Sequence, residues 1–231
     1  MIHIPKKISC HNRINETQLF SVLSQENLNK ISNSSLIIKY KPDETIIKQN
    51  TKAYQTMIVL SGYVKIFVEG KEGKNLITKY GKTTDCIGIS GLFTNTIYSF
   101  SVSAVEECTV CFIDYELIVE FINSNNVFAN KIMRLLSLEK SNLHSKLLYL
   151  TQKQSPGRVA YSILYLKNEI FNDKIDYIIA SRNEIADLNG ITKDNAGRIL
   201  KDFNDNGIIK FDGKHIKVLD ISKLEQIRDF G

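Results

Sequence analysis

Between residues 127 and 152 the chain reads VFANKIMRLLSLEKSNLHSKLLYLTQ, without one glycine or proline. Such a run is roughly seven turns of uninterrupted helix, about twice the usual length in a globular domain. Phe128, Ile132, Leu135 or Leu136, Leu143, Leu147 and Leu150 recur at three- and four-residue spacing, with a polar gap from Glu139 to Asn142. That periodicity makes one apolar stripe. A helix this long divides the chain into what comes before it and what comes after. Its stripe has two possible covers, a second copy of the chain or the chain's own preceding domain, and the length favours a dimer seam.

The two flanks carry different patterns. Residues 16 to 31 place Leu19, Val22, Leu23 and Leu28 on one face and predict an amphipathic helix. From about 35 to 114 come short β-branched and aromatic runs: SLIIKY, TIIKQ, YQTMIVL, YVKIFVE, NLITKY, SFSVSAV and CTVCFID. Turn residues separate them at regular intervals, which indicates an antiparallel barrel or sandwich. YVKIFVEGKEGKNLITKY predicts a hairpin with Gly70 and Gly73 in its turn. ELIVEFINSN then predicts a short helix.

After the long helix, Ser155-Pro156-Gly157 marks a boundary. A helix from Arg158 to Phe171 and a short strand from Tyr177 to Ala180 lead into SRNEIADLNGITKDNAGRILKDFNDNGIIKFDGKHIKVLD, residues 181 to 220. Ser181 with Glu184 is a capping box, so a helix starts there and ends at Asn189-Gly190. Thr192 caps a second helix. Ala196, Ile199, Leu200 and Phe203 bury one side of it, and Lys193, Asp194, Gly197, Arg198 and Lys201 face outward. Gly197 costs about 1 kcal/mol against Ala in a helix interior, so close packing or close docking is expected there. IIKFDGKHIKV closes a hairpin at Asp212-Gly213. Two capped helices joined by a glycine turn and followed by a hairpin are a winged helix-turn-helix, whose second helix enters the DNA major groove. Arg198 suits guanine O6 and N7, and Asp194 suits cytosine N4. Asn195 shares that helix start, while Ser181, Arg182 and Thr192 sit at helix N-termini where phosphates bind.

Composition excludes other classes. The 231 residues carry a net charge of +5, and residues 151 to 231 hold 13 Lys and Arg against 12 Asp and Glu, a net of +1. Bulk charge therefore does not make a nucleic-acid binder, and the claim rests on local geometry. No apolar run reaches the length of a membrane span, and the N-terminus lacks a secretory core. Cys10, Cys86, Cys108 and Cys111 form no disulfide framework, which predicts a reducing cytoplasm. Cys108 and Cys111 point to opposite faces of a strand and do not share a metal. His3, His11, His144 and His215 have no ligand spacing, and no nucleophile–base pair appears. The chain is expected to be neither an enzyme nor a metalloprotein.

Residues 16 to 225 resemble the Crp/Fnr family of bacterial transcription factors. KDNAGRILKDFNDNGII resembles its recognition helix, and LSGYVKIFVEG resembles the hairpin of its cyclic-nucleotide-type β-roll. The resemblance implies an α+β chain: an antiparallel β-roll sensor domain over 1–126, a dimerisation helix over 127–152 and a winged helix-turn-helix over 153–231. It implies a homodimer on double-stranded DNA, with base contacts from Lys193, Asp194 and Arg198 and phosphate contacts from Ser181, Arg182 and Thr192. RNA polymerase and a small-molecule effector remain open as further partners, and no cofactor is expected.

The resemblance also identifies DCIGISGLF as the phosphate cassette of the β-roll. Members that bind cyclic AMP place Glu after the first glycine and an Arg–Ser pair about ten residues on. Here those positions hold Ile89 and Tyr98-Ser99. Leu143 and His144 fall where the nucleobase would lie. An effector pocket would therefore comprise Gly88, Ile89, Ser90, Gly91, Tyr98, Ser99, Leu143 and His144, without the anchors for cyclic AMP. The alternative reading is a haem- or small-ligand sensor in which DNA contact is secondary.

Overall fold

The computed structural model describes residues 13–94, 96–171 and 177–230; His3, Cys10 and His11 lie outside them. The chain forms two compact units, Met1–Ile66 with Gly81–Ser141, and Phe67–Tyr80 with Asn142–Gly231.

The first unit begins with a correction. The helix expected over 16 to 31 is interrupted, because Thr17 donates its hydroxyl to Ile14 O at 2.7 Å and accepts from Phe20 N at 3.3 Å. Local side-chain bonds of this kind compete with helix propagation. A new helix, α1 (Gln25–Ser34), starts where the Ser24 hydroxyl accepts from Asn27 N. Among the described residues eight strands follow, with the end of β4 and nearly all of β5 grouped in the second unit: β1 (Leu36–Tyr40), β2 (Thr45–Ile47), β3 (Gln55–Ser61), β4 (Val64–Glu69), β5 (Asn75–Gly81), β6 (Cys86–Ile87), β7 (Ser101–Ala104) and β8 (Cys108–Asp114). They form two sheets, ordered β1-β8-β3-β6 and β2-β7-β4-β5. This is the expected antiparallel roll.

Two-residue alternation sorts its side chains into two cores. From β3 and β8, Met57, Val59, Cys108, Val110 and Phe112 enter one apolar cluster with Val64, Ile66 and Val102. Ile58, Leu60, Cys111 and Ile113 enter a second cluster with Leu28 and Ile31 of α1. Cys108 and Cys111 are thus fully buried on opposite faces, and burial lifts the Cys108 thiol to about 11. The β4–β5 turn differs in detail from expectation. Gly73 takes a positive φ of 72°, but Gly70 does not. Gly70 is required by proximity, since a Cβ there would lie 2.3 Å from Lys74 O.

Helix α2 (Tyr115–Ser124) leads to α3 (Asn126–Gln152), the long helix, whose residues pass from one unit to the other between Ser141 and Asn142. Phe128 and Ile132 are fully buried in the second core, with Leu135 and Leu136 packed against it. The first half of the apolar stripe is therefore covered by the chain's own roll. Met133, Leu143 and Leu147 are 58%, 48% and 59% exposed, so the uncovered part lies mainly further along.

In the second unit, α4 (Ser155–Tyr165) continues as a wider π-type segment to Phe171, and β9 (Ile178–Ile179) follows. Then come α5 (Arg182–Asn189), α6 (Lys193–Asp205), β10 (Ile209–Asp212), β11 (His215–Val218) and α7 (Ile221–Phe230). The three strands form a sheet ordered β10-β11-β9. Helix α7 was not expected from the sequence. It starts where Asp220 accepts from Lys223 N, and it buries Leu224 completely.

Candidate nucleic-acid interface and the β-roll cassette

The helix-turn-helix is built by local bonds that the sequence announces. At the start of α5, Ser181 accepts from Glu184 N at 3.3 Å, and Ser181 N donates to Glu184 Oε2 at 2.8 Å. The Ser181 hydroxyl also donates to that carboxylate at 2.8 Å, so its proton is used inside the capping box. Gly190 ends α5 at φ 59°, a left-handed conformation that favours glycine. Two residues later Thr192 accepts from Asn195 N and starts α6. Ala196, Ile199, Leu200 and Phe203 are buried, which fixes the rotation of α6 and turns its other side outward.

That outward side presents Lys193, Asp194 and Arg198, all exposed, with Lys201 one turn beyond Arg198's neighbour Gly197. Arg198 donates to Asn195 Oδ1 at 3.1 Å, and Asn195 donates from its other end to Ser155 Oγ at 3.4 Å. Arg182 is exposed and lies over the Phe211 ring of β10, 5.3 Å from its centroid. This cation–π contact ties the start of α5 to the wing. The wing turns at Gly213, φ 61°. The region brings together all seven residues expected at the DNA surface: Ser181, Arg182, Thr192, Lys193, Asp194, Asn195 and Arg198. Gly197 has no tight neighbour, because a Cβ there would meet only Arg182 Cδ at 3.8 Å. Close internal packing does not explain that glycine.

The cassette in the first unit is organised differently. Gly88 adopts φ 99°, and its carbonyl accepts from the Tyr115 hydroxyl and from Gly91 N. Tyr98 donates to Gln55 O. Both rings are buried, at 7% and 6% exposure, and burial raises the pKa of both phenols. A Cβ on Gly91 would lie 2.6 Å from the Tyr115 hydroxyl and 3.0 Å from the Ala53 methyl. Gly91 is therefore the space into which Tyr115 fits. Ile89 is buried, Ser90 half-buried and Ser99 exposed. Tyr115 was missed by sequence reasoning, because nothing in a strand-to-helix junction marks its ring as a neighbour of the glycines. The two pocket residues expected on α3, Leu143 and His144, belong to the other unit and are exposed. Among the described residues no cluster of three or more His, Cys, Asp and Glu has metal-binding geometry, and no helix is long and apolar enough to cross a membrane.

Comparison with known proteins matches two stretches of the chain. Residues 37–125 match the cyclic nucleotide-binding domain, and residues 157–227 match the Crp-like helix-turn-helix domain. The transcriptional activator protein Anr of Pseudomonas aeruginosa is 28% identical over 188 residues, covering 80% of this chain and 77% of the relative. The cAMP-activated global transcriptional regulator CRP of Salmonella typhimurium is 29% identical over 188 residues, covering 79% and 89%. In fold, the chain is similar to a transcriptional regulator of the Crp/Fnr family from Eubacterium rectale, with a TM-score of 0.78, 19% identity and coverage of 93% and 99%.

Proposed function

Because the chain belongs to the Crp/Fnr family of transcription regulators, we propose that it binds a roughly palindromic operator as a homodimer, without control by cyclic AMP. The observation that carries the DNA reading is the exposed face of α6, where Lys193, Asp194 and Arg198 stand on a helix held by its own cap and wing. Arg198 reads guanine with its planar fork and Asp194 accepts from cytosine. Lys193 adds a further base contact, while Thr192 and Arg182 hold backbone phosphates, with Ser181 beside them at the start of α5.

Dimerisation through α3 is supported by Leu143 and Leu147, one turn apart and about half exposed. A two-fold axis along this stripe sets the two copies of α6 about one DNA turn, roughly 34 Å, apart on the site. The reading assigns domain limits of 1–126 for the roll, 127–152 for the seam helix and 153–231 for the DNA-binding domain. It assigns no catalytic role to any residue, and it places the protein with its DNA in the cytoplasm.

Independence from cyclic AMP is supported by the interior of the cassette. Donors beside the cassette that could meet an anionic phosphate are already spent, the Tyr98 hydroxyl on Gln55 O and the Tyr115 hydroxyl and Gly91 N on Gly88 O. Ile89 offers no carboxylate for a ribose hydroxyl. An anion buried there without a guanidinium loses several kcal/mol of compensation. Selection of bound DNA from a random pool tests the first half, and a two-fold symmetric consensus is the expected result. Titration calorimetry with cyclic AMP tests the second half. No heat at micromolar ligand and no change in operator affinity are expected, whereas micromolar binding that tightens the operator complex would overturn it.

A further inference from the structure

The second unit contains a run of polar contacts that joins the base-reading helix to the end of α3. Arg158, in the first turn of α4, donates from Nη1 to Leu150 O at 3.2 Å and to Asn189 O at 3.0 Å. Leu150 lies in the last turn of α3, and Asn189 is the final residue of α5. One guanidinium thus binds carbonyls at two helix C-termini, where the unpaired carbonyls and the helix dipole both favour a cation. Its second terminal nitrogen, Nη2, donates to Ser155 Oγ at 3.3 Å.

The same Ser155 oxygen accepts from Asn195 Nδ2 at 3.4 Å, and Asn195 Oδ1 accepts from Arg198 Nη2 at 3.1 Å. Behind this run, Asn189 is fully buried, accepts from Ser162 at 2.9 Å and donates to Ile185 O at 2.7 Å. Tyr149 of α3 donates to Arg158 O and lies 3.3 Å from Asn189 Oδ1. Both ends of the Asn195 amide are engaged within the protein. Turning that amide away to face a base edge would give up the contact that orients Arg198.

We propose that Ser155 and Arg158 are positioning residues for DNA recognition, acting through Asn195 to hold the Arg198 guanidinium in its base-reading orientation. The inference rests on Arg198 reading a base, and it moves Asn195 from contacting DNA to aiming the residue that does. The physical gain is preorganisation: a flexible arginine held in one orientation loses less side-chain entropy when it docks. The serine hydroxyl suits the junction because it accepts from Asn195 and Arg158 together through two lone pairs.

The test compares Ser155→Ala, Ser155→Thr and Arg198→Ala on the selected operator, on operators altered one base pair at a time, and on random DNA. Ser155→Ala should reduce discrimination at the base pair read by Arg198 by about three- to tenfold, the range of one net hydrogen bond. Discrimination at other positions, affinity for random DNA and its salt dependence should stay the same. Ser155→Thr, which retains the hydroxyl, should restore it. Adding Ser155→Ala to Arg198→Ala should cost nothing further at that base pair. Additive losses, equal losses on all DNA, or no change with Ser155→Ala would each overturn the proposal. Thermal melts identify a variant lost to misfolding, and Asn195→Ala then applies the same cycle from the neighbouring link. If the wild type itself prefers no sequence, the DNA reading has failed; if it has a preference that these variants leave intact, only this inference has failed.

Discussion

The cassette and the recognition helix share a feature, a glycine among residues expected to bind a phosphate-bearing ligand, and they use it in opposite ways. In the cassette, Gly91 is filled from inside, with the Tyr115 hydroxyl where a Cβ would be. In α6, Gly197 faces open space beyond a single ordinary contact to Arg182. The polar groups follow the same division. Gly88 O, Tyr98 and Tyr115 are paired to one another's surroundings and buried, while Lys193, Asp194 and Arg198 stand exposed. A motif that has turned inward stabilises a fold, and one that has stayed outward keeps its chemistry available.

The largest expected effect lies on α3, the proposed seam between two copies of the chain. Leu143→Asp places a carboxylate in a desolvated stripe against its symmetry mate, which is strongly unfavourable without a partner. Monomers should dominate in sedimentation. Operator affinity should fall by about 10²–10⁴-fold, because two linked half-site contacts become independent. Ile132 is buried against the chain's own roll, so Ile132→Ala should instead lower stability by about 2–5 kcal/mol and leave the association state unchanged. A dimer that survives Leu143→Asp would relocate the interface and leave the exposed half of α3 unexplained.

Next in size is the outward face itself. Arg198→Ala removes the proposed bidentate reader and should weaken the preferred operator by about 1–3 kcal/mol while sparing random DNA. Fluorescence anisotropy on both DNAs checks it, and equal losses would make Arg198 a phosphate contact. Turned inward, the corresponding change is Tyr115→Phe. It removes one of two donors from Gly88 O, leaving Gly91 N, and should lower the stability of the first unit by about 0.5–1.5 kcal/mol. Operator affinity, measured well below the melt, should hardly move. A tyrosine change that affected DNA binding but not stability would instead give the cassette a part in the DNA response.

Legibility in the sequence followed distance along the chain. The capping box at Ser181, the glycine stop at Gly190 and the cap at Thr192 depend on residues within four positions, and all form as read. The alternation that places Cys108 and Cys111 in separate cores is equally local. Misreadings arose where a distant partner or a competing side chain decided the outcome. Thr17 broke an apolar periodicity that looked continuous, and α7 has one fully buried anchor, Leu224, too few to announce a helix by pattern. The stripe of α3 gave no sign that Phe128 and Ile132 would be covered by the roll and Leu143 and Leu147 would not. The role of Gly91 depends on Tyr115, which lies two strands away in sequence.

The smallest expected effect is the sharpest test of the two glycines. In α6, Gly197→Ala adds a methyl that meets only Arg182 Cδ at 3.8 Å, so nothing inside the protein resists it. Alanine is favoured over glycine in a helix interior by about 1 kcal/mol, so the variant should be more stable by about that amount. If the glycine serves docking, the same methyl stands between α6 and the groove, beside Arg198. It would shift the helix and loosen the base contacts, and operator affinity should fall by about tenfold, or 1.4 kcal/mol. In the cassette, Gly91→Ala should do the reverse, lowering stability because its methyl collides with the Tyr115 hydroxyl and the Ala53 methyl while leaving DNA affinity in place. Chemical denaturation and anisotropy on both variants give four numbers with predicted signs. A Gly197→Ala protein that gained stability and bound its operator as tightly as before would show that this glycine serves neither packing nor docking.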